Sequence, residues 1–322
     1  MIFFTLGDNY MRKTSKKYLI FALFLTSVFS IILLLYLTGC SNSTIVVDGV
    51  TYSQINGSYC VSDYDDDMNQ ISILEECNGK KVTKIGEYAF KGASNLITIN
   101  IPNSVTDIGV GAFIGCHNLS SVIIPNEVKE IRDYTFYNCY NLKSVSLGEN
   151  VKTINRYAFY GCEELEAIDC SMVIKFNEFA FSNCIKLKRF VIPDGIKIIP
   201  ESLFQNDISL TEVIIPASVN VISKEAFMGC ESLSTINLPN ITVLYKYTFY
   251  KCSNLKEIVL PESLKEIQCG CFSECNSLEN VTFMLECDWY ALDKTRIKIN
   301  VSDKSKVLSY LKYEQYSFHK SI

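Results

Sequence analysis

The sequence predicts a solenoid of the mainly β or α/β class, with about nine turns of 22–23 residues stacked along a parallel sheet. Three observations support this fold. One phenylalanine recurs at that interval, a leucine follows it six residues later, and two apolar residues in alternation come next. The recurring phenylalanines are Phe90, Phe113, Phe136, Phe159, Phe181, Phe204, Phe227, Phe249 and Phe272. Because such an array grows along one axis without a single core, the chain length does not require two ordinary domains.

Within each repeat, the residue types follow the order expected for one turn of a leucine-rich solenoid. Apolar residues nine and eleven positions after the phenylalanine point inward, because strand side chains alternate. A proline then ends most strands, since it donates no ladder hydrogen bond, and a V-x-x-I segment closes the turn. The L-x-x-L-x-L order and a period of 20–29 residues are typical of leucine-rich repeats. Two turns have 22 residues, which we interpret as a loop deletion that leaves both apolar faces in register.

Residues 1–40 are predicted to export the chain or to anchor it in a membrane. Basic residues at positions 12–17 precede an apolar run from Leu19 to Leu37, and Thr38-Gly39-Cys40 follows. This order resembles the bacterial lipoprotein signal, and the resemblance implies cleavage before Cys40 and lipidation of its thiol. The alternative is an uncleaved transmembrane anchor, since the apolar run is long enough to span a bilayer. In both cases the preceding positive charge places the repeats outside the cytoplasm. Translation starts at Met1 or, alternatively, at Met11.

Residues 41–79 are predicted to form a β cap over the first turn. The stretch from Val46 to Val61 alternates apolar and polar residues, and Asp48-Gly49 and Asn56-Gly57 are hairpin-turn pairs. A solenoid needs such a cap, because its first apolar face would otherwise meet water. The acidic run at positions 63–67 lacks the glycine and the distal glutamate of an EF-hand calcium loop, so we interpret it as a solvated loop.

Residues 80–285 are the predicted repeat array, and most of its cysteines occupy one position, three residues after the phenylalanine. We call this column the Cys ladder; alanine takes the position at Ala93 and aspartate takes it at Asp207. Its cysteines are Cys116, Cys139, Cys162, Cys184, Cys230, Cys252 and Cys275. Stacked cysteines could form disulfides or bind metal, but a buried free thiol packs as a small hydrophobe, and Ala93 favours that interpretation.

The cysteines outside the ladder and the aspartate within it each allow more than one interpretation. Cys170 and Cys271 are predicted core residues, whereas four others lie outside the ladder: Cys60, Cys77, Cys269 and Cys287. A Cys60–Cys77 bridge is one alternative for them. Asp207 is predicted to mark a locally irregular sixth turn, because an inward carboxylate is costly unless backbone donors cap it or it turns outward. The alternative for Asp207 is a functional site.

The outward side chains of the predicted strands, eight and ten residues after each phenylalanine, form the first candidate binding surface, which we call the strand face. Repeat proteins bind partners on such extended surfaces. The face mixes small, polar and aliphatic residues and lacks an aromatic anchor, so we expect modest affinity or no ligand there. Its candidate partner-binding residues are Ser121, Ile123, Ser144, Asp169, Arg189, Val191, Glu212, Ile214, Glu257 and Val259.

A second candidate surface consists of tyrosines at equivalent positions of two adjacent turns. Tyr134, Tyr137, Tyr157 and Tyr160, which we call the Tyr platform, have Tyr140 and Phe179 beside them. Tyrosine offers apolar area together with a hydroxyl, as partner-binding patches require. The alternative is that these rings lean over the phenylalanine column and only half emerge.

Residues 286–322 are predicted to cap the other end of the array. Ile297–Val301 is expected to form a last strand, and a short helix is expected from Ser302 to about Tyr313. We interpret Trp289 as a plug for the end of the array, with ligand binding as the alternative.

The composition excludes several classes of function. The formal net charge of −5 argues against binding a phosphate backbone, so no nucleic-acid partner is expected. The only histidines are His117 and His319, and neither has a nucleophile or an orienting residue beside it in the sequence. With no glycine-rich phosphate loop and no metal-ligand spacing, the sequence predicts a protein that is not an enzyme and that has no cofactor or metal.

The repeat unit resembles that of the BspA-like leucine-rich repeat proteins. The segments at Gly111–Ile131 and Glu225–Leu244 carry the resemblance, which extends over roughly residues 80–285. It implies a surface-exposed or secreted protein, and some relatives act as adhesins. We therefore expect an extracytoplasmic, membrane-anchored cell-surface lipoprotein that binds a protein or glycan partner. The alternative is a structural envelope spacer or scaffold without a host ligand.

Overall fold

The computed structural model describes residues 44–284, together with the backbone of residues 289–291, 298–299 and 318–320. The predicted export or anchor segment, including Cys40, lies outside these residues. Among the residues described, 24 strands are present and no helix is long and apolar enough to cross a membrane.

The strands follow one another at short intervals, as expected for a solenoid. In chain order they are β1 (Thr44–Val47), β2 (Val50–Ile55), β3 (Ser58–Tyr64), β4 (Gln70–Ser72), β5 (Glu76–Cys77), β6 (Lys80–Ile85), β7 (Thr98–Asn100), β8 (Asp107–Ile108), β9 (Ser121–Ile123), β10 (Glu130–Ile131), β11 (Ser144–Ser146), β12 (Thr153–Ile154), β13 (Lys175–Phe176), β14 (Arg189–Val191), β15 (Ile198–Ile199), β16 (Glu212–Ile214), β17 (Val221–Ile222), β18 (Val243–Leu244), β19 (Glu257–Leu260), β20 (Glu266–Ile267), β21 (Asn280–Phe283), β22 (Trp289–Ala291), β23 (Lys298–Ile299) and β24 (Phe318–Lys320).

The N-terminal cap is a sheet of the order β1-β2-β3-β6-β5, which confirms the predicted hairpins. Asp48 and Gly49 have φ angles of 47° and 74°, as a two-residue turn with both central residues left-handed requires. β3 pairs with β6 in parallel, and β6 pairs with β8, so the cap sheet continues directly into the array.

Two parallel ladders run along the array. The strand-face ladder consists of β4-β7-β9-β11, β14-β16 and β19-β21. The second ladder, which we call the closing sheet, is built from the V-x-x-I segments and includes β10-β12-β13 and β15-β17-β18-β20. Inward residues of both ladders are buried, for example Val122 and Ile131. The predicted parallel solenoid is therefore confirmed.

The phenylalanines form a stacked column through the core, the Phe spine. Successive ring centroids lie 5.2–5.5 Å apart, except for Phe181 and Phe204, which are 6.2 Å apart. Stacked aromatic pairs stabilise a protein by roughly 0.5–1.5 kcal/mol beyond the area they bury. Tyr64 continues the column before the first phenylalanine, 5.4 Å from Phe90, and β4 supplies a strand for this extra turn. The recurrence of phenylalanine did not predict this turn, because Tyr64 takes the place of phenylalanine there. With it, the array has about ten turns.

The Cys ladder is a packing feature with one specific contact per turn. Each thiol donates a hydrogen bond of 3.0–3.3 Å to the carbonyl oxygen of the phenylalanine in the preceding turn, as Cys162 does to Phe136. All seven thiols are buried and free, as expected. Cys60 and Cys77 are also buried and free, so the structure contains no bridge between them.

Both 22-residue turns differ from the expected regular ladder. Their inward residues remain buried, as Cys170 and Leu238 show, so the apolar faces stay in register as predicted. However, residues 167–169 and 235–237 form no strand, and the strand-face ladder is interrupted at both places. β13 and β18 keep their pairing in the closing sheet. The missing residue of these two turns therefore changes the backbone path of the strand-face segment and not that of the closing strand.

The closing sheet is interrupted between β13 and β15. In neighbouring turns the residue after the closing strand donates across the ladder, as Asn177 N–H does to Ile154. Pro200 occupies this position after β15 and has no N–H to donate. Phe176 and Phe190 also occupy core positions that are aliphatic in other turns, and Phe190 packs 4.8 Å from Phe204 and 5.1 Å from Phe181. These larger rings account for the wider Phe181–Phe204 spacing.

The C-terminal cap extends the closing sheet. β20 pairs in antiparallel fashion with β24, and β24 pairs with β22. The expected last strand is present as β23. The helix predicted from Ser302 to Tyr313 and the side chain of Trp289 lie outside the described residues.

Candidate binding surfaces

The predicted outward side chains of the strand face are all exposed. Parallel pairing of β9 and β11 aligns Ser121 with Ser144, and Ile123 is 71% exposed. One ion pair lies on this face, between Arg189 Nε and Glu212 Oε2 at 2.8 Å, whereas Asp169 and Glu257 form no ion pair among the described residues. Exposed pairs of this kind contribute little to stability. The remaining candidates, all exposed, are Asp169, Val191, Ile214, Glu257 and Val259.

A shallow groove of about 830 Å³ lies on this face beside the first interrupted strand segment. Its lining combines the aliphatic side chains of Val191 and Ile214 with Asp169 and Arg189. The carboxylate of Asp169 accepts a hydrogen bond of 2.9 Å from the backbone N–H of Ser171, so it supports the local turn. The groove contains no aromatic anchor, consistent with the sequence-based expectation for this face.

The Tyr platform is a single aromatic cluster in the structure. Tyr134 stacks on Tyr157 with centroids 5.1 Å apart, and Tyr137 stacks on Tyr160 at 4.9 Å. The two stacks meet edge to face, with Tyr157 and Tyr160 5.7 Å apart. Phe179 extends the first stack, 4.7 Å from Tyr157. All four tyrosines are half-buried, so they both lean on the repeat array and reach solvent.

The backbone beneath the first stack is left-handed, which is unusual for aromatic residues. Tyr134 and Tyr157 have φ angles of 59° and 55°, whereas Gly111 and Gly270 occupy the same position in other turns. A bulky residue in this region is disfavoured, and the ring stacking offsets part of this cost. The left-handed backbone belongs to the repeat itself, because Tyr88, Phe179, Ser202, Glu225 and Tyr247 occupy the same position with φ angles of 53–59°. This equivalence was not predicted, although it follows from the repeat period.

The platform hydroxyls have no hydrogen-bond partner within the part of the chain that the structure describes. Other tyrosine hydroxyls do: that of Tyr52 accepts from Leu74 N–H at 3.1 Å, and that of Tyr250 donates to Glu274 at 2.6 Å. Burial and then the neighbouring tyrosines raise the pKa of Tyr137, and burial raises the pKa of Tyr157. At neutral pH these two hydroxyls are therefore protonated and able to donate.

The histidine at the edge of this cluster has a packing role in the structure. The ring of His117 stacks on Tyr140 with centroids 4.7 Å apart. Across the described residues, no group of three or more histidine, cysteine, aspartate or glutamate side chains is placed to hold a metal ion. His319 lies in β24, and nothing about its side chain is described.

Asp207 is fully buried in the Cys ladder. The expected irregularity lies on the Pro200 side, where the closing sheet is interrupted and Phe204 is 6.2 Å from Phe181, whereas β16 of this turn pairs in register with β14. One carboxyl oxygen accepts a hydrogen bond of 2.8 Å from the backbone N–H of Cys184, which supplies the backbone cap that a buried carboxyl needs. The other carboxyl oxygen has no partner among the described residues. Burial raises the pKa of Asp207 well above its usual value, which favours the protonated form.

Comparison with known proteins gives one family match. A model of the BspA-type leucine-rich repeat region matches residues 64–188 and 174–298, with six copies of the repeat. No curated protein sequence matches the chain.

Several solved structures are similar to parts of the chain. A leucine-rich cell surface protein of Faecalibacterium prausnitzii is 19% identical, with 76% of this chain and 96% of that chain covered and a TM-score of 0.37. A leucine-rich repeat protein of Bacteroides ovatus is 26% identical, with 74% and 94% covered and a TM-score of 0.37. A leucine-rich repeat protein of T. pallidum is 22% identical, with 74% and 91% covered and a TM-score of 0.38.

Proposed function

Because the chain belongs to the BspA-type leucine-rich repeat family, we propose that it is a non-catalytic cell-surface protein that binds another protein through the Tyr platform. Residues 1–40 would hold it at the membrane, by a lipid on Cys40 or by an uncleaved anchor. Repeat arrays of this architecture present extended surfaces to partners.

One observation supports the platform most directly. Four half-buried tyrosines lie together on the surface, and their hydroxyls lack a partner among the described residues. Tyrosine is enriched among the residues that dominate binding energy in interfaces. The strand face has exposed aliphatic residues but no aromatic anchor, so it is the weaker candidate.

The geometry favours a protein partner over a glycan. Within each stack the ring faces cover one another, with interplanar angles of 5° and 7°. One face of each ring is thus closed to a partner, while the ring edges and hydroxyls remain accessible. Sugar rings bind aromatic residues by lying on exposed ring faces, whereas edges and hydroxyls suit the mixed polar and apolar contacts of a protein interface.

The test uses variants that remove an aromatic ring without adding backbone strain. Tyr134→Gly and Tyr157→Gly each place glycine at a left-handed position, which lowers the backbone strain, but each also loses ring stacking. Because the two effects oppose each other, we expect small changes in the free energy of unfolding. Tyr247→Gly is the matched control, because Tyr247 has the same position in its turn and a φ of 58° but lies outside the platform. The full chain in detergent is assayed on immobilised fibronectin, laminin and collagen and on a glycan array.

We expect binding to at least one protein, weakened at least tenfold in the two platform variants and unchanged in the control. Binding lost equally in Tyr247→Gly would contradict a specific role for the platform. If no immobilised protein or glycan is bound, the structural spacer or scaffold becomes the better interpretation. A deletion strain with a defective envelope and normal adhesion would support that alternative directly.

A further inference from the structure

The interruption between β13 and β15 leaves backbone hydrogen-bonding groups without partners. In flanking turns, the residue before each closing strand donates to its equivalent one turn earlier, as Ile174 N–H does to Lys152 at 2.9 Å and Asn220 N–H does to Lys197 at 3.0 Å. Between these turns the corresponding bond, from Lys197 N–H to Ile174 C=O, is not formed. Neither group has another partner among the described residues. Ile174 and Lys197 are both exposed, so water can solvate these two groups and a ligand can take its place.

Aliphatic side chains are exposed at the same place. Ile174 is 67% exposed, Ile198 is 53% exposed and Met172 is 52% exposed. Ile198 continues in register into Val221 and Val243 of the next two closing strands, both half-buried. Single exposed apolar residues are common, but a contiguous group of them is typical of an interaction site.

Unpaired positive charge borders these aliphatic residues. Lys175 and Lys197 are exposed, and neither forms an ion pair with a carboxylate in the described residues. Lys152, one turn earlier, donates only to the backbone carbonyl of Glu149. By contrast, eight cations of residues 80–284 form ion pairs with carboxylates, as Arg156 does with Glu178 at 2.9 Å. We call Ile174, Lys175, Lys197, Ile198 and Met172 the junction patch.

We propose that the junction patch is a second docking surface, which binds an extended segment of a partner protein that alternates acidic and aliphatic side chains. Its carboxylates would face Lys175 and Lys197, its aliphatic side chains would cover Ile174 and Ile198, and its backbone would bond Lys197 N–H or Ile174 C=O from the solvent side.

A narrow acidic segment fits this surface better than an anionic membrane does. Glu149 and Asp194 are exposed in the loops beside the patch. A flat anionic bilayer would approach these carboxylates together with the lysines, and the repulsion would oppose the attraction. An extended segment can follow the lysines and avoid the loop carboxylates.

The proposal is tested with a fluorescein-labelled ten-residue peptide that alternates glutamate and valine, titrated with the full chain in detergent and followed by anisotropy. The variant Lys175→Glu/Lys197→Glu reverses the charge of the patch at exposed positions. The control Lys80→Glu/Lys81→Glu makes the same change in net charge at two exposed lysines of β6 in the N-terminal cap. Circular dichroism melting curves check that both variants fold.

We expect the patch variant to bind the peptide at least tenfold more weakly, the control to bind normally, and added salt to weaken binding of the wild type. A Tyr134→Gly variant should bind the peptide as the wild type does, because the Tyr platform is a separate surface. Equal binding by the patch variant and the wild type would overturn the proposal. Two other results would also overturn the proposal. One is equal binding of a control peptide that has lysine in place of glutamate. The other is binding to phosphatidylglycerol vesicles that depends on the patch, without binding of the acidic peptide.

Discussion

The buried carboxyl of Asp207 accepts a hydrogen bond of 2.8 Å from the backbone N–H of Cys184 in the preceding turn. It occupies a position where the other turns have a thiol that donates to a phenylalanine carbonyl. The carboxyl does not reproduce the thiol's donation, because its second oxygen has no partner among the described residues. An ionised carboxyl cannot donate, and it would leave a buried charge with a single partner.

We predict that Asp207→Cys stabilises the protein near neutral pH by about 1–3 kcal/mol, because it removes a buried, incompletely bonded polar group. The change restores the residue found at this position in neighbouring turns, so it introduces no new packing problem. Urea denaturation of both proteins at pH 7 measures the difference. Cys184→Ala is a useful comparison, since it alters an adjacent ladder residue and should destabilise the protein.

The same residue predicts a pH dependence. Burial raises the pKa of Asp207 in the folded state, so the folded chain binds this proton more tightly than the unfolded chain, whose aspartate pKa is about 3.9. Its contribution to stability is fully present at acid pH and is lost as pH rises from that value through the raised folded pKa. Over this pH interval we expect the free energy of unfolding of the wild type to fall relative to that of Asp207→Asn. A difference that does not change with pH would contradict a protonated Asp207.

The Cys ladder should be chemically inert in the folded protein. Burial raises the pKa of the thiols of Cys139, Cys184, Cys230 and Cys252, and thiolates are the reactive form. We expect iodoacetamide to leave these thiols unlabelled under native conditions and to label them in urea, as measured by peptide mass spectrometry. Half-exposed Cys269 is the internal control and should react first. Rapid native labelling of the ladder would show that its thiols are not buried in solution.

Gly111 makes room for the ring of Tyr88. A Cβ atom added at Gly111 would lie 2.5 Å from Cε1 of Tyr88, and the φ angle of Gly111 is 57°. We predict that Gly111→Ala destabilises the protein by about 1–2 kcal/mol from backbone strain and by a further amount from the clash. Gly79→Ala separates the two effects, because Gly79 has a φ of 70° and no atom within 4 Å of the added Cβ. Thermal melts of both variants provide the comparison, and equal losses would argue against the Tyr88 contact.

Asn155 connects three turns through its side chain. Its amide donates to the carbonyl of Ile131 and to the carboxylate of Glu130, both at 3.0 Å, and accepts from the amide of Asn177 at 2.7 Å. We expect Asn155→Ala to destabilise the protein by about 1–3 kcal/mol, because partly buried polar groups lose their partners. Asn118→Ala removes an exposed amide from another turn and should have a smaller effect in the same denaturation assay.

Much of the fold could be predicted because each structural position in a turn repeats along the sequence. Phenylalanine, the small ladder residue, leucine and the alternating apolar pair recur at fixed intervals, and burial of those positions follows from their residue types. The outward strand positions were predictable for the same reason. The extra first turn was missed, because Tyr64 rather than phenylalanine occupies the spine there.

The candidate sites depended on features that do not repeat. The platform tyrosines were recognisable from their spacing, but their stacking, their left-handed backbone and their unpaired hydroxyls required the structure. The junction patch was not predicted. It arises from Pro200, which lacks a donor, and from Phe176 and Phe190, which are too large for positions that hold aliphatic residues elsewhere.

The sequence by itself therefore determined the solenoid class, its period and its inward and outward faces, because periodic burial of apolar side chains leaves few alternative folds. The tertiary structure alone decided where the ladders are interrupted and which surface groups lack partners. A hydrogen bond between turns joins residues about 23 positions apart, and its presence depends on the path of both turns at once. For Asp207, the sequence identified an exception in the ladder. The structure showed that its carboxyl stays inward, where Cys184 N–H caps one oxygen and burial raises the pKa.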